Sequence, residues 1–106
     1  MIGFRFLSGA LEEATETANF YEREETGLGQ SFFDALDATI QRIRRFPKIG
    51  KPRGKRLRSF SLRKFPIDVI YYIHDDSIVV VAVAHQSRRP GYWIDRIYNK
   101  DDDQTQ

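Results

Sequence analysis

The sequence has no cysteine and only two histidines, four prolines and one tryptophan in 106 residues. Without thiols there is no disulfide framework and no thiolate nucleophile, and two isolated imidazoles argue against a zinc site. Stability must come from packing alone. Long apolar runs are also missing. The longest, Ile78 to Ala84, falls far short of the ~20 residues a membrane-spanning helix needs and reads as a buried strand. The N-terminus sets Arg5 in a short apolar stretch and then turns acidic, so no secretory leader is expected and a cytoplasmic location is the default. At 12.4 kDa the chain is sized for one domain, expected over residues 1–98, with a disordered acidic tail at 99–106.

Acidic side chains are absent from one part of the chain. Residues 1–40 hold two basic and eight acidic residues, net −6; residues 41–65 hold eleven basic and no acidic ones, net +11; residues 66–106 hold four basic and seven acidic, net −3. The central block interleaves its cations with Phe46, Ile49, Leu57, Phe60, Leu62 and Phe65. Such a block makes a strong local positive field that draws polyanions or an acidic protein. A run of like charge can also be no more than a solvated face. The lack of even one acid favours binding, with Arg53, Lys55, Arg56, Arg58 and Lys64 as candidate contacts.

Ile2, Phe4 and Phe6 alternate with Gly3, Arg5 and Leu7, the period of a strand. Ser8 is the expected N-cap of a helix running to Glu25. Glu12 and Glu13 lie near the positive end of its dipole, and Leu11, Ala14, Ala18 and Tyr21 recur at helical spacing. Gly27, free to take the left-handed conformation, ends it. A second helix follows on Phe33, Leu36, Ile40 and Ile43 until Phe46 and Pro47 stop it, and so short a link requires antiparallel packing. Pro47 to Lys55 reads as a basic loop. Strands are expected at Arg56–Leu62, Ile67–Ile73 and Ile78–Ala84, the last central because it is apolar on both faces, with His74 to Ser77 as a hairpin link. Pro90 suits the first turn of a short helix that returns Trp93, Ile94 and Ile97 to the sheet. This order describes an α+β fold, a helical hairpin on one face of a mostly antiparallel sheet, with the first strand's neighbour unassigned and the opposite face partly open.

No Gly-rich phosphate loop, metalloprotease motif or nucleophile elbow is present. Chemistry-bearing residues concentrate instead just past the central strand, where His85, Arg88, Arg89, Tyr92 and Trp93 follow Ala84. Metal-free RNA cleavage needs a group to take the 2′-hydroxyl proton, a cation on the phosphate and a donor for the leaving oxygen. His85 can act as acid or base, Arg88, Arg89 or Arg63 can hold phosphate, and Tyr92 or Trp93 can stack on an unpaired base. Plainer roles exist for each: a hydrogen-bonded histidine at a strand end, solvated arginines, a tryptophan plugging the core. His74, beside Asp75 and Asp76, reads as a turn residue.

The order of elements and several local patterns carry a resemblance. These are the acidic first helix from Ala10 to Glu25, Gly27-Leu28-Gly29-Gln30-Ser31-Phe32 opening the second, Ile43 to Pro47, Phe65 to Tyr72, Ala82 to Gln86, and Arg88 to Trp93. Together, from about Phe4 to Ile97, they resemble the RelE/ParE superfamily of toxins from type II toxin-antitoxin modules, which includes ParE-like plasmid stabilisation proteins. The resemblance implies an antitoxin partner whose extended, partly helical tail wraps the toxin. It further implies one of two actions. RelE-like members cut messenger RNA on the ribosome, and ParE-like members poison DNA gyrase without hydrolysis. In the first case His85, Arg88 and Arg63 are the catalytic candidates of a metal-independent endoribonuclease. In the second, the basic residues and Tyr92, Trp93 and Arg89 serve target binding. Neither implies a cofactor. RelE-like toxins place an arginine early in the penultimate strand, where this chain has Asp68. The alternative is a non-toxic nucleic-acid or protein binding module that uses the basic segment 42–64.

Overall fold

A computed structural model describes residues 1–98 of the chain; the expected acidic tail at 99–106 lies outside the described residues. In chain order the elements are β1 (Gly3–Phe6), α1 (Ser8–Glu24), α2 (Leu28–Arg45), β2 (Lys51–Arg53), β3 (Leu57–Ser61), β4 (Ile67–His74), β5 (Ser77–His85) and α3 (Ile94–Tyr98). The strands form one sheet in the order β1-β5-β4-β3-β2. β1 runs parallel to β5, with Phe4 opposite Ile78, and the other pairs are antiparallel. This settles the partner of the first strand and confirms the expected α+β architecture.

The helices pack on one sheet face. α1 presents Ala10, Ala14 and Ala18, small residues that let its axis come close, while α2 buries Phe32, Leu36, Ile40 and Ile43 against Val69, Tyr71, Val80 and Val83. Each large apolar side chain so buried contributes roughly 1.5 to 3 kcal/mol. Both stripes start one residue earlier than periodicity suggests. Ala10 and Phe32 are fully buried, whereas Leu11 and Phe33 are 57% and 41% exposed. A step of one residue turns a helix by about 100°, enough to move a side chain from the sheet to the flank.

The connection between the helices depends on Glu22. α1 ends at Glu24, and Gly27 adopts a left-handed conformation (φ +91°) as the residue before α2, so it opens the second helix rather than closing the first. The Glu22 carboxylate accepts hydrogen bonds from the backbone N–H groups of Gly27 and Gly29, the unpaired donors at the start of α2. Leu7, not Ser8, occupies the N-cap of α1, and no side chain caps it there. Asp75 and Asp76, both with positive φ, make the two-residue turn between β4 and β5.

β5 is buried on both faces, as its sequence requires. The pairing passes from Tyr71 opposite Val80 to Ile70 opposite Ala82, so Val81 is an extra, bulged residue. Val81 and Ala82 consequently both face a second core with Leu57, Ile70, Tyr72 and Val79. That face is less open than expected, because Tyr92, Trp93 and Ile97 pack across it. Ile94 stays 45% exposed, and α3 begins there, four residues beyond Pro90, which lies ahead of the helix instead of in its first turn. The expected basic loop contains a short edge strand, β2, with Pro52 at its centre. Among the described residues, no helix is long and apolar enough to cross a membrane.

Candidate functional site

A cleft of about 450 Å³ opens on the second sheet face, between the ends of β3, β4 and β5 and the C-terminal segment. Its floor is Leu57, Ile70 and Ala84, Trp93 forms a wall, and Arg53, Asp68, His85 and Arg88 stand round the rim. β5 delivers His85 at its last position, and the turn after it delivers Arg88. His85 is exposed, and its Nδ1 accepts the backbone N–H of Ser87 at 3.0 Å. In the neutral imidazole the proton therefore sits on Nε2, which makes that nitrogen a donor. Asp68 Oδ1 accepts from the Ser61 hydroxyl at 2.6 Å and from Gln86 Nε2 at 3.0 Å, so a negative charge is held on the rim. Arg53 Nε donates to the Ser59 hydroxyl at 2.8 Å, and the Arg56 guanidinium lies 4.3 Å from the ring centroid of Tyr72 on the same face.

The remaining cations go elsewhere. Arg42, Arg63 and Lys64 border a groove of about 650 Å³ between α2 and the β3–β4 turn, on the helical side, over Leu28, Phe60 and Phe65. Arg58 is committed to the backbone, its Nη1 donating to the carbonyls of Lys48 and Gly50. Arg44 turns toward β1, donating to the Ile2 carbonyl at 2.6 Å and lying over Phe4. Lys55 is exposed in the β2–β3 turn and Arg89 in the segment after β5. Arg53 and Arg56 of the central block thus lie on one sheet face and Arg42, Arg63 and Lys64 on the other, so the block does not form one surface. Of the three catalytic candidates, His85 and Arg88 share the cleft, while Arg63 lines the groove across the sheet.

Tyr92 is not an open platform for a base. Its hydroxyl donates to Glu13, the Arg88 guanidinium lies 4.1 Å from its ring centroid, and that of Arg96 lies 5.4 Å away. Burial, and then the hydrogen bond and charge of Glu13, push the phenol well above its ordinary value against the opposing pull of Arg96 and Arg88. Glu13 itself carries no signal in the sequence beyond an acid early in a helix. It lies in the second turn of α1, and its carboxylate serves the sheet and not the helix dipole. Oε1 accepts the Val83 N–H at 3.0 Å, and both oxygens take Arg96, at 2.8 and 3.1 Å. Arg96 also donates to the Val81 carbonyl at 3.0 Å. Beyond Phe6, where β1 stops, this ion pair supplies the partners a neighbouring strand would have given β5.

Among the described residues, no group of three or more metal-ligating side chains is found. A comparison with curated proteins gives no match. Among solved structures, a chain from the chromosomal ParDE toxin-antitoxin system of P. aeruginosa is similar in fold, with a TM-score of 0.61 at 11% identity over 80% of this chain and 96% of that one. Residues 4–90 match the sequence family described as the ParE toxin of type II toxin-antitoxin systems. With that match running from β1 past the end of β5, the chain belongs to the ParE toxin family, within the RelE/ParE superfamily.

Proposed function

We propose that this protein arrests growth by inhibiting DNA gyrase rather than by cutting messenger RNA, and that a cognate antitoxin holds it inactive. Membership of the ParE family supports a toxin with an antitoxin partner. The choice of gyrase inhibition over RNA cutting rests on one observation: Arg63 lies across the sheet from His85 and Arg88, so the three catalytic candidates do not form one constellation, and the pair that meets shares its rim with a carboxylate. Where His85 and Arg88 do meet, the Asp68 carboxylate repels an incoming phosphate. The second-face cleft, with an apolar floor, Trp93 and two arginines, is the surface we assign to the target, because apolar anchors and arginine dominate protein contacts. The groove beside α2 suits an amphipathic antitoxin segment with an acidic flank, since Phe60 and Phe65 line it and Arg42, Arg63 and Lys64 rim it.

Purified protein added to gyrase and relaxed plasmid tests this reading. Loss of supercoiling with accumulating cleavage complexes is expected, together with intact transcripts in arrested cells. Translation-dependent transcript cuts with fully active gyrase overturn it. A folded, highly expressed protein with no effect on growth would instead return the binding-module reading, which the dispersal of the 42–64 cations disfavours.

A further inference from the structure

We infer that Glu13, on α1, is a positioning residue for the cleft, acting through Tyr92 on the guanidinium of Arg88. The inference rests on the assignment of that cleft to the target. The Glu13 carboxylate is 12% exposed and is held by the Val83 N–H and by Arg96, so it stands fixed to the sheet. The Tyr92 hydroxyl donates to its other oxygen, which sets the rotation of the ring. Trp93 packs edge-on against that ring, with centroids 5.1 Å apart, and closes a second side. Arg88 lies over the ring at 4.1 Å and reaches the cleft rim.

Two physical effects couple the chain of contacts. A phenol that donates to a carboxylate passes electron density into its ring, which strengthens the attraction of a cation above it. A long arginine side chain free in solvent samples many rotamers, and a fixed aromatic face removes most of them before any target arrives. Arg88 is therefore preorganised by a helix that contributes no lining residue to the cleft.

Side-chain NMR and gyrase inhibition test this together. In the wild type the Arg88 Nε–H resonance should be shifted by the ring current of Tyr92, and it should move toward the free-arginine position in Tyr92→Phe and in Glu13→Gln. Tyr92→Phe removes only the hydroxyl that ties the ring to Glu13, leaving the ring free to turn away from Arg88, and it leaves the Glu13 contacts to Val83 and Arg96 in place, so it remains usable if Glu13→Gln fails to fold. For gyrase inhibition, Tyr92→Phe and Arg88→Ala should each weaken potency by about tenfold. The double variant should be no weaker than Arg88→Ala alone. Losses that multiply, or an Arg88 signal indifferent to both changes, overturn the relay, since a purely structural Glu13 would act on melting temperature and leave these readouts separate. An inert Arg88→Ala in an otherwise active toxin overturns the assignment of the cleft and the relay with it. A wild type without effect on gyrase overturns the proposed function alone, and the Arg88 resonance then decides the relay.

Discussion

Tyr71 and Tyr92 carry phenols whose surroundings oppose ionisation. Tyr71 is fully buried, its hydroxyl accepting the Gly50 N–H at 2.9 Å and donating to the Pro47 carbonyl at 2.7 Å. Burial raises both above the ordinary value of 10.0. A phenol with a raised value in the folded state gives up its proton first in the unfolded chain. The stability it contributes is therefore complete below about pH 10 and falls as pH climbs toward the folded value. Melting temperature should be flat through neutral pH and decline above about 10, with a shallower decline in Tyr92→Phe, as circular dichroism melts would show. Gly29 offers a second residue-scale test. A Cβ there would lie 2.8 Å from the Ala18 carbonyl and 3.0 Å from the Glu22 carboxylate. Gly29→Ala should cost about 2 kcal/mol in chemical denaturation by forcing the helices apart, and Glu22→Ala about 1 kcal/mol by uncapping α2.

At the scale of elements, the bulged half of β5 is held by side chains where a strand would ordinarily sit. The Val83 amide should exchange slowly with solvent despite having no strand on that side. In Glu13→Ala, hydrogen exchange at Val83 should accelerate by at least about tenfold, the loss of a bond to a charged acceptor, while amides deep in β4 stay protected. The same contrast explains what was legible in the sequence. α1 and α2 were readable from their hydrophobic period, and β4 and β5 from their apolar, β-branched runs, with the expected His74 to Ser77 link holding the Asp75-Asp76 turn. β2 was not, because three exposed residues around Pro52 have no pattern of their own and pair only because β3 lies beside them. The cleft was half readable. His85, Arg88 and Trp93 are near neighbours in sequence, but Arg53 and Asp68 reach them only through sheet order, and Glu13 meets its partners across 70 to 83 residues. The basic block misled in the opposite way, since alternation along β3 and the turns on either side send adjacent cations to opposite faces.

The whole molecule is 38 × 28 × 25 Å, small enough that a division of charge between its faces governs how it meets a polyanion. Only one face can lie against a duplex at a time. On the second face, Arg53, Arg56 and Arg88 lie together, with exposed Lys55 and Arg89 next to them in sequence. Non-specific DNA binding should therefore fall with salt at a log–log slope of about −3 to −4, not the value near −10 that eleven aligned cations would produce. Fluorescence anisotropy with labelled duplex between low and physiological salt measures it.

The two ends of the sheet complete the picture at this scale. One is β1, four residues long, and the other is β2, three residues with a proline that has no N–H to offer. Either rim would give a stray strand too few backbone partners to template fibril growth, so the shortness of the two outer strands is itself the guard against edge-to-edge stacking of copies.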